Sequence, residues 1–487
     1  MQNLKADIVV IGGGGAGMAA ARAAAEKGAS VIVLEKRGPG GSSAMAFGIF
    51  ASQSHIQKQM KIKEGNHDFF RALMDWSHWQ INPLLVRAII EKSADTIRWL
   101  EDLGLEFDLL PYLNYPGKQQ SPTWHVPVGG GAALIKALVQ AAEKSGAKIL
   151  RQSPAKQIIT SENGSITGVL AENKDGEFTV STGCVVISAG GFGGNKKYLK
   201  KYAPEYRDNT LCFGAMNMGE GLDMALGLGA ATEGLGNLMM MGPLTFGMLP
   251  VAIGTPPQSK QLLLWANTLL DRRPLWVNRL GKRFIDESLS DHHTMSHAVA
   301  RQPDAFVYTI MDSKLAWDMA CEQEKGPARQ MPRGFHGGPR KLTAEESSRF
   351  KEPLKISDSW QDIARWIGAD HGVLQKTLEE YNMACDNAFD PVMGKDRQYL
   401  VPVRTPPFYV VRWYPVFSNT SGGIKINEHM QVMDGVGKPI RGAYAAGVDT
   451  GGWTPDAYCI KLSGWAFGYA VNSGRIAGEN AAAFVKH

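Results

Sequence analysis

Gly12, Gly14 and Gly17 stand in G-x-G-x-x-G spacing between a β-branched run and an alanine-rich stretch. Residues so arranged bind a diphosphate. The first glycine permits a tight turn, the second lets phosphate approach the backbone, and the third lets helix and strand pack closely. The helix start behind them offers unpaired N–H groups and a partial positive charge. Glu35 lies 35 − 17 = 18 residues past the last glycine, where a carboxylate can accept from a ribose 2′-hydroxyl. A second group able to titrate is Asp291-His292-His293, in which His292 or a neighbour could act as general base. The other reading is a solvated helix start. No metal is expected there, because adjacent histidines in a strand or loop point to opposite sides.

These residues need a scaffold. Residues 6–11 and 30–34 read as strands around an alanine-rich helix at 16–27, a β-α-β unit with parallel strands. Helical patterns follow at 67–103, then a loop bearing tyrosine and tryptophan at 107–128. A helix at 132–145 leads to a strand at 148–151. A meander is expected through 158–159, 166–171 and 178–180, and another parallel strand at 184–188. Methionine clusters, prolines and charged helices then take over, until strand, glycine turn and alanine-rich helix return at 442–447 and 464–484. The expected class is α/β, a Rossmann-like cofactor-binding domain with a β-meander, interrupted by an inserted α+β substrate-capping domain. Its parts are placed at 1–200 and 406–487, with the cap at 201–405.

The scaffold suits FAD. A long, extended FAD needs further small residues downstream, and Gly38-Pro39-Gly40-Gly41-Ser42-Ser43 follows Glu35 directly. Ser188-Ala189-Gly190-Gly191 ends one strand and Ala445-Ala446-Gly447-Val448-Asp449 ends another. The helix from about Leu462 could aim its first N–H groups at the flavin N1/C2=O edge. Expected FAD contacts are Gly12, Gly14, Gly15, Ala16, Gly17, Glu35, Lys36, Gly41, Ser42, Ser43, Ala155, Ala189, Gly190, Gly191, Gly447, Asp449, Leu462 and Ser463. Trp124 and His125 could also touch flavin. No second G-x-G-x-x-G occurs, so a separate electron donor or acceptor is expected rather than a second nucleotide fold.

Bulk properties narrow the class further. The 487 residues suit two or three segments sharing a site, and 44% apolar with 20% charged residues excludes disorder. A net charge of +5 without a basic run argues against nucleic acid. Five scattered cysteines with no C-x-x-C read as reduced, buried thiols. No leader and no apolar run of membrane-spanning length is visible, so a cytoplasmic protein without membrane insertion is expected.

Six segments in order resemble the flavoprotein family of soluble fumarate reductases, succinate dehydrogenase flavoprotein subunits and 3-ketosteroid Δ1-dehydrogenases. They are the opening fingerprint with Glu35 and Gly41-Ser42-Ser43, then Ser188-Ala189-Gly190-Gly191-Phe192, then Gly219-Glu220-Gly221. The cap run from Asn278 to Glu287 resembles N-x-x-G-x-R-F-x-N-E, and Ala445 to Gly452 and Ser473 to Gly478 match the closing half. The resemblance implies an FAD-dependent oxidoreductase acting on a CH–CH bond beside a carbonyl, with hydride moving between flavin N5 and the β-carbon. It also implies non-covalent FAD, because residues 38–50 lack the histidine of the covalent members.

Departures point to a branch. The arginine expected four residues past Glu287 is Asp291, the substrate-clamping histidine is Ser418, and the closing arginine is Lys461. Lysine cannot replace the bidentate donors of arginine toward paired carboxylates. The ketosteroid-like branch implies Tyr458 and the Gly464 amide as oxygen donors, with Tyr112 or Tyr115 as a further tyrosine. Met239-Met240-Met241 would be core or an adaptable apolar pocket. The expected substrate is a cyclic or steroid-like ketone, desaturated or, in reverse, reduced as the enone. Alternatives are a reductase of another unsaturated carboxylate and a non-catalytic electron-transfer subunit.

Overall fold

The computed structural model describes residues 3–110, 122–244, 273–289, 291–323 and 354–486. Ile8–Ile11 and Val31–Leu34 are four-residue apolar strands buried throughout, as strands covered on both faces must be. With Val185–Ile187 and the edge strand Lys148–Leu150 they form a parallel run in a six-stranded sheet. Pro439–Ala445, from the far end of the chain, pairs in parallel with Val185–Ile187, and Gln431–Met433 closes that edge antiparallel. The meander is present as Ala155–Thr160, Ile166–Asn173 and Gly176–Ser181, joined by Asn3–Lys5.

Two helices lie against each other across this sheet, Gly15–Glu26 and Trp465–Phe484. Their approach needs glycine. A Cβ on Gly474 would overlap the Ala16 carbonyl, and one on Gly478 the Ala20 carbonyl. Helix Pro83–Glu101 packs alongside and brings Trp99 under the Arg22 guanidinium, 3.7 Å from the ring centre.

The capping region is built on Phe408–Thr420. This strand hydrogen-bonds to Leu211–Cys212, Val307–Met311, Leu238–Leu244 and Leu354–Ser357, and Leu275–Asn278 pairs with Val307–Met311. The sequence put it in the second cofactor half, beyond 405, yet its partners are mostly strands of the insert. Its apolar run resembles any buried strand, and only pairing reveals which sheet it joins. Alternation then separates two cores. Trp276, Val307, Met311, Val411 and Trp413 meet helix His292–Ala300 on one face, whereas Leu275, Val277, Tyr308, Ile310 and Val410 meet helices Trp360–Ile367 and His371–Asp386 on the other. The expected loop at 107–128 contains two paired strands, Phe107–Leu110 and Trp124–Pro127. They are too short to show a period in sequence.

A buried ionic cluster locks the cap. Arg283 donates to both Glu287 oxygens at 2.9 and 2.7 Å and to Asp390 at 2.8 Å. Lys395, wholly buried, donates to the Arg273 carbonyl and the Tyr381 hydroxyl and stands 3.6 Å from Glu287. Two cations thus share two carboxylates. Removing one carboxylate from such a set typically costs about 3–5 kcal/mol. Glu287→Ala is therefore expected to lower the thermal midpoint by several degrees, and a midpoint within about a degree of wild type would contradict this role.

Candidate active site

A cavity of about 430 Å³ opens at the carboxyl ends of Ile8–Ile11 and Val31–Leu34, where ligands bind in open parallel sheets. Gly14 and Gly41 stand side by side in its wall, a Cβ on Gly41 lying 3.9 Å from Gly14 Cα. A Cβ on Gly14 would meet nothing nearer than the Gly40 carbonyl at 3.9 Å, so the missing side chain leaves a slot. Helix Gly15–Glu26 has no side-chain cap at Gly14; Ser43 accepts from its first N–H, that of Gly15, and the following N–H groups of the first turn can seat an anion. Glu35 accepts from Gly13 N–H at 2.6 Å and Arg37 N–H at 2.8 Å, one on each oxygen. Each oxygen keeps a lone pair for a hydroxyl donor.

Ser43 accepts from Gly15 N–H at 3.1 Å, and Ser42 from Ala215 N–H at 2.9 Å. Lys36 is ion-paired with Glu220. Of the expected contacts, Gly12, Gly14, Gly15, Ala16, Glu35, Lys36, Gly41, Ser42, Ser43, Ala155, Ala189, Gly190 and Gly447 line the cavity. A slot walled by glycine, a helix start and a carboxylate with lone pairs left for a hydroxyl fit FAD.

The remaining contacts stand behind the lining. A Cβ on Gly17 would overlap the Gly12 carbonyl, so Gly17 serves packing. Asp449 is buried and accepts the N–H groups of Ala189, Gly190 (3.1 Å) and Gly191 (2.8 Å), so it shapes the lining loop. Leu462 and Ser463 sit in the turn before Trp465–Phe484, outside the cavity wall. The sequence reading missed Ala215, Met216, Asn217 and Asn419, which cover the cavity from the cap side. Asn217 donates to the Gly190 carbonyl at 2.8 Å. No spacing rule marks a lone asparagine, and only the adjoining Gly219-Glu220-Gly221 turn hinted at this wall.

The family described as FAD binding domain matches residues 7–457. The chain belongs to this FAD-binding flavoprotein family. A vinyl phenol reductase of Lactiplantibacillus plantarum is 31% identical over 98% of the chain and 96% of that protein. Among solved structures, the open conformation of a flavocytochrome c3 fumarate reductase aligns at 26% identity and TM-score 0.74, over 99% of this chain and 79% of that one. A 3-ketosteroid Δ1-dehydrogenase of Sterolibacterium denitrificans shares the fold at 19% identity and TM-score 0.76, over 98% and 99%. The flavoprotein is thus an FAD-dependent oxidoreductase acting on C=C and CH–CH bonds. Among the described residues no helix is long and apolar enough to cross a membrane.

A second cluster of candidate residues lies at the start of Trp465–Phe484. Ala470 lines the cavity, and Ala466, four residues earlier, shares its face. The Ala466 N–H donates to the Tyr458 hydroxyl at 3.1 Å. The Tyr458 hydroxyl therefore reaches the start of the helix that Gly464 caps. Against Tyr458 lies the His293 ring, 4.8 Å between centres and tilted by 38°. His293 is buried and its Nδ1 contacts the Met240 carbonyl, so Nδ1 carries an N–H. Burial holds its pKa below the ordinary histidine value, against the pull of Asp291.

Asp291 is spoken for. It caps helix His292–Ala300 by accepting from His293 N–H at 2.9 Å and Thr294 Oγ1 at 2.6 Å. His292 begins that helix, but its side chain lies outside the described residues, as do Tyr112 and Tyr115 entirely. Met240 is fully buried, while Met239 and Met241 are half-buried. Lys461 is exposed and Ser418 buried. His125 is buried between Ser54 and Thr123 and does not line the cavity.

Burial pushes the Asp449 carboxyl up to about 6 from an ordinary 3.8, although three backbone N–H groups oppose the rise. Between those values the folded protein holds a proton that the unfolded chain has released. The group's contribution to stability therefore falls as pH rises from about 4 to about 6. Asp449→Asn removes this titration. The wild-type minus variant difference in thermal midpoint is expected to shrink across that window. A difference that stays flat with pH would show an ordinary carboxyl.

Proposed function

We propose that the flavoprotein reduces a C=C bond conjugated to a neutral, ring-borne oxygen, as in a cyclic enone or a vinyl phenol, or catalyses the reverse desaturation. The observation that carries this reading is the Tyr458–His293 pair, an uncharged hydroxyl and an uncharged imidazole meeting where the cap touches the flavin helix. Positions that hold cations and a histidine in the resembling carboxylate reductases carry Asp291, Ser418 and an exposed lysine, Lys461. The full-length likeness to a vinyl phenol reductase supports the same substrate class.

FAD, held without a covalent bond, would supply or accept the hydride at N5. The chain's own residues position and polarise the substrate. The Ala466 N–H takes a lone pair of the Tyr458 hydroxyl, which strengthens its O–H as a donor. That donor and the Gly464 amide would stabilise negative charge developing on the substrate oxygen. His293, fixed by Met240, braces the tyrosine ring. Met239 and Met241 offer an apolar wall to a ring. Electrons come from a separate donor, because the chain shows no second nucleotide fingerprint.

A second reading, reduction of an unsaturated carboxylate with Lys461 as partial clamp, rests on the flavocytochrome fumarate reductase likeness. One pair of variants separates the two. Tyr458→Phe is expected to keep FAD and fold while lowering kcat/KM about 10²–10³-fold, the scale of one lost oxyanion donor, and Lys461→Ala to do far less. Reoxidation of dye-reduced enzyme by cyclic enones, vinyl phenols and unsaturated acids supplies the substrate for this measurement. The opposite order of sensitivity, with an acid as best oxidant, would establish the carboxylate reading instead.

A further inference from the structure

Behind the start of the flavin helix lies a buried chain of hydrogen bonds that none of the roles above uses. Thr123 Oγ1 donates to the Ser463 carbonyl at 3.2 Å. Phe50 N–H donates to the next carbonyl, that of Gly464, at 2.9 Å. In a trans peptide the C=O and N–H point opposite ways. The Gly464 N–H shares a peptide plane with the Ser463 carbonyl, so it is turned away from Thr123. Gly464 itself has φ +82°, and a Cβ there would stand 2.6 Å from Ile49 and Phe50 backbone atoms. A peptide next to such a glycine can flip at little steric cost. The Thr123 hydroxyl opposes that flip.

Thr123 is in turn held from behind. Its carbonyl accepts from Ala51 N–H at 3.2 Å and faces His125 Nδ1 at 2.9 Å. A carbonyl only accepts, so Nδ1 carries the proton and Nε2 is an acceptor. Nε2 lies 2.7 Å from the Ser54 hydroxyl, which itself accepts Gln57 N–H at 3.1 Å. His125 is wholly buried, and burial depresses its pKa to about 4, so the neutral tautomer persists at physiological pH. Every group from Ser54 to Ser463 thus has one orientation available.

We propose that Thr123 and His125 are positioning residues that lock the Ser463–Gly464 peptide so its N–H faces the substrate oxygen. This deepens the proposed function and rests on it for the Gly464 amide as the second donor beside Tyr458. Neither residue touches substrate. Thr123 acts through a peptide plane, and His125 acts through Thr123.

The test reads binding rather than turnover. p-Cresol, a neutral ring with one oxygen, is titrated into the oxidised holoenzyme and followed by the change in flavin absorbance. Thr123→Val is expected to weaken binding about tenfold, the equivalent of about 1.4 kcal/mol, and Thr123→Ser to restore it. His125→Asn retains an N–H donor and should bind like wild type, whereas His125→Leu should weaken binding as Thr123→Val does. If Thr123→Val does not fold, the His125 pair carries the test. Variants that lose thermal stability but keep wild-type affinity would reduce the network to a structural role and overturn the inference. Failure of wild type itself to bind p-cresol or a cyclic enone would overturn the proposed function and this inference together. Intact wild-type binding with indifferent variants overturns the inference alone.

Discussion

The molecule depends on the close approach of two helices from opposite ends of the chain. Gly474 lies on the Ala16 carbonyl and Gly478 on the Ala20 carbonyl, 474 − 16 = 458 residues apart in sequence. One cavity can be lined by Gly15 and Ala16 of the first helix and Ala470 of the second only if these helices lie this near. Alanine on one helix and glycine on the other make that possible, at some cost in intrinsic helix propensity for the glycines. Long separation in sequence also means that the loop entropy of the whole insert must be overcome before the cavity exists. The apolar sheet beneath, buried on both faces, offsets that cost.

The cofactor half was legible in sequence because its chemistry is local. A turn that must pass a phosphate demands glycine at fixed spacing, and Gly12, Gly14, Gly17 and Glu35 obey that demand within one β-α-β unit. Residues that act through the backbone of others were harder to read. Asp449 resembles a cofactor ligand by its place after a strand, yet its oxygens are taken by the Ala189–Gly191 loop. Gly17, read both as a packing glycine and as a cofactor contact, contributes packing. Spacing rules identify which residues a ligand needs nearby; they do not tell touching from supporting.

The cap was less legible, and for a different reason. Its strands find partners far off in sequence, so Phe408–Thr420 could not be assigned to a sheet without the register. The same holds for the Tyr458–His293 contact, which joins residues 165 apart (458 − 293) across two regions. His293 was one of three candidates in a titratable run; helix geometry makes Asp291 a cap and sets the His293 ring against Tyr458. Tyr458 and Gly464 were brought to one helix start, though the hydroxyl meets Ala466 rather than Gly464.

Phe408–Thr420 has one more consequence. It runs thirteen residues through the middle of the capping sheet, and Asn419, next to its last residue, forms part of the cofactor wall. Thr420 also offers its hydroxyl oxygen to the Phe192 N–H behind that wall, at 3.4 Å. The cap and the cofactor seat therefore share a structural member instead of meeting at a loose hinge. If a ligand bound under the cap shifts this strand, it acts on the same backbone that lines the cofactor cavity. By reciprocity, any factor by which such a ligand changes affinity for the cofactor is the factor by which the cofactor changes affinity for it.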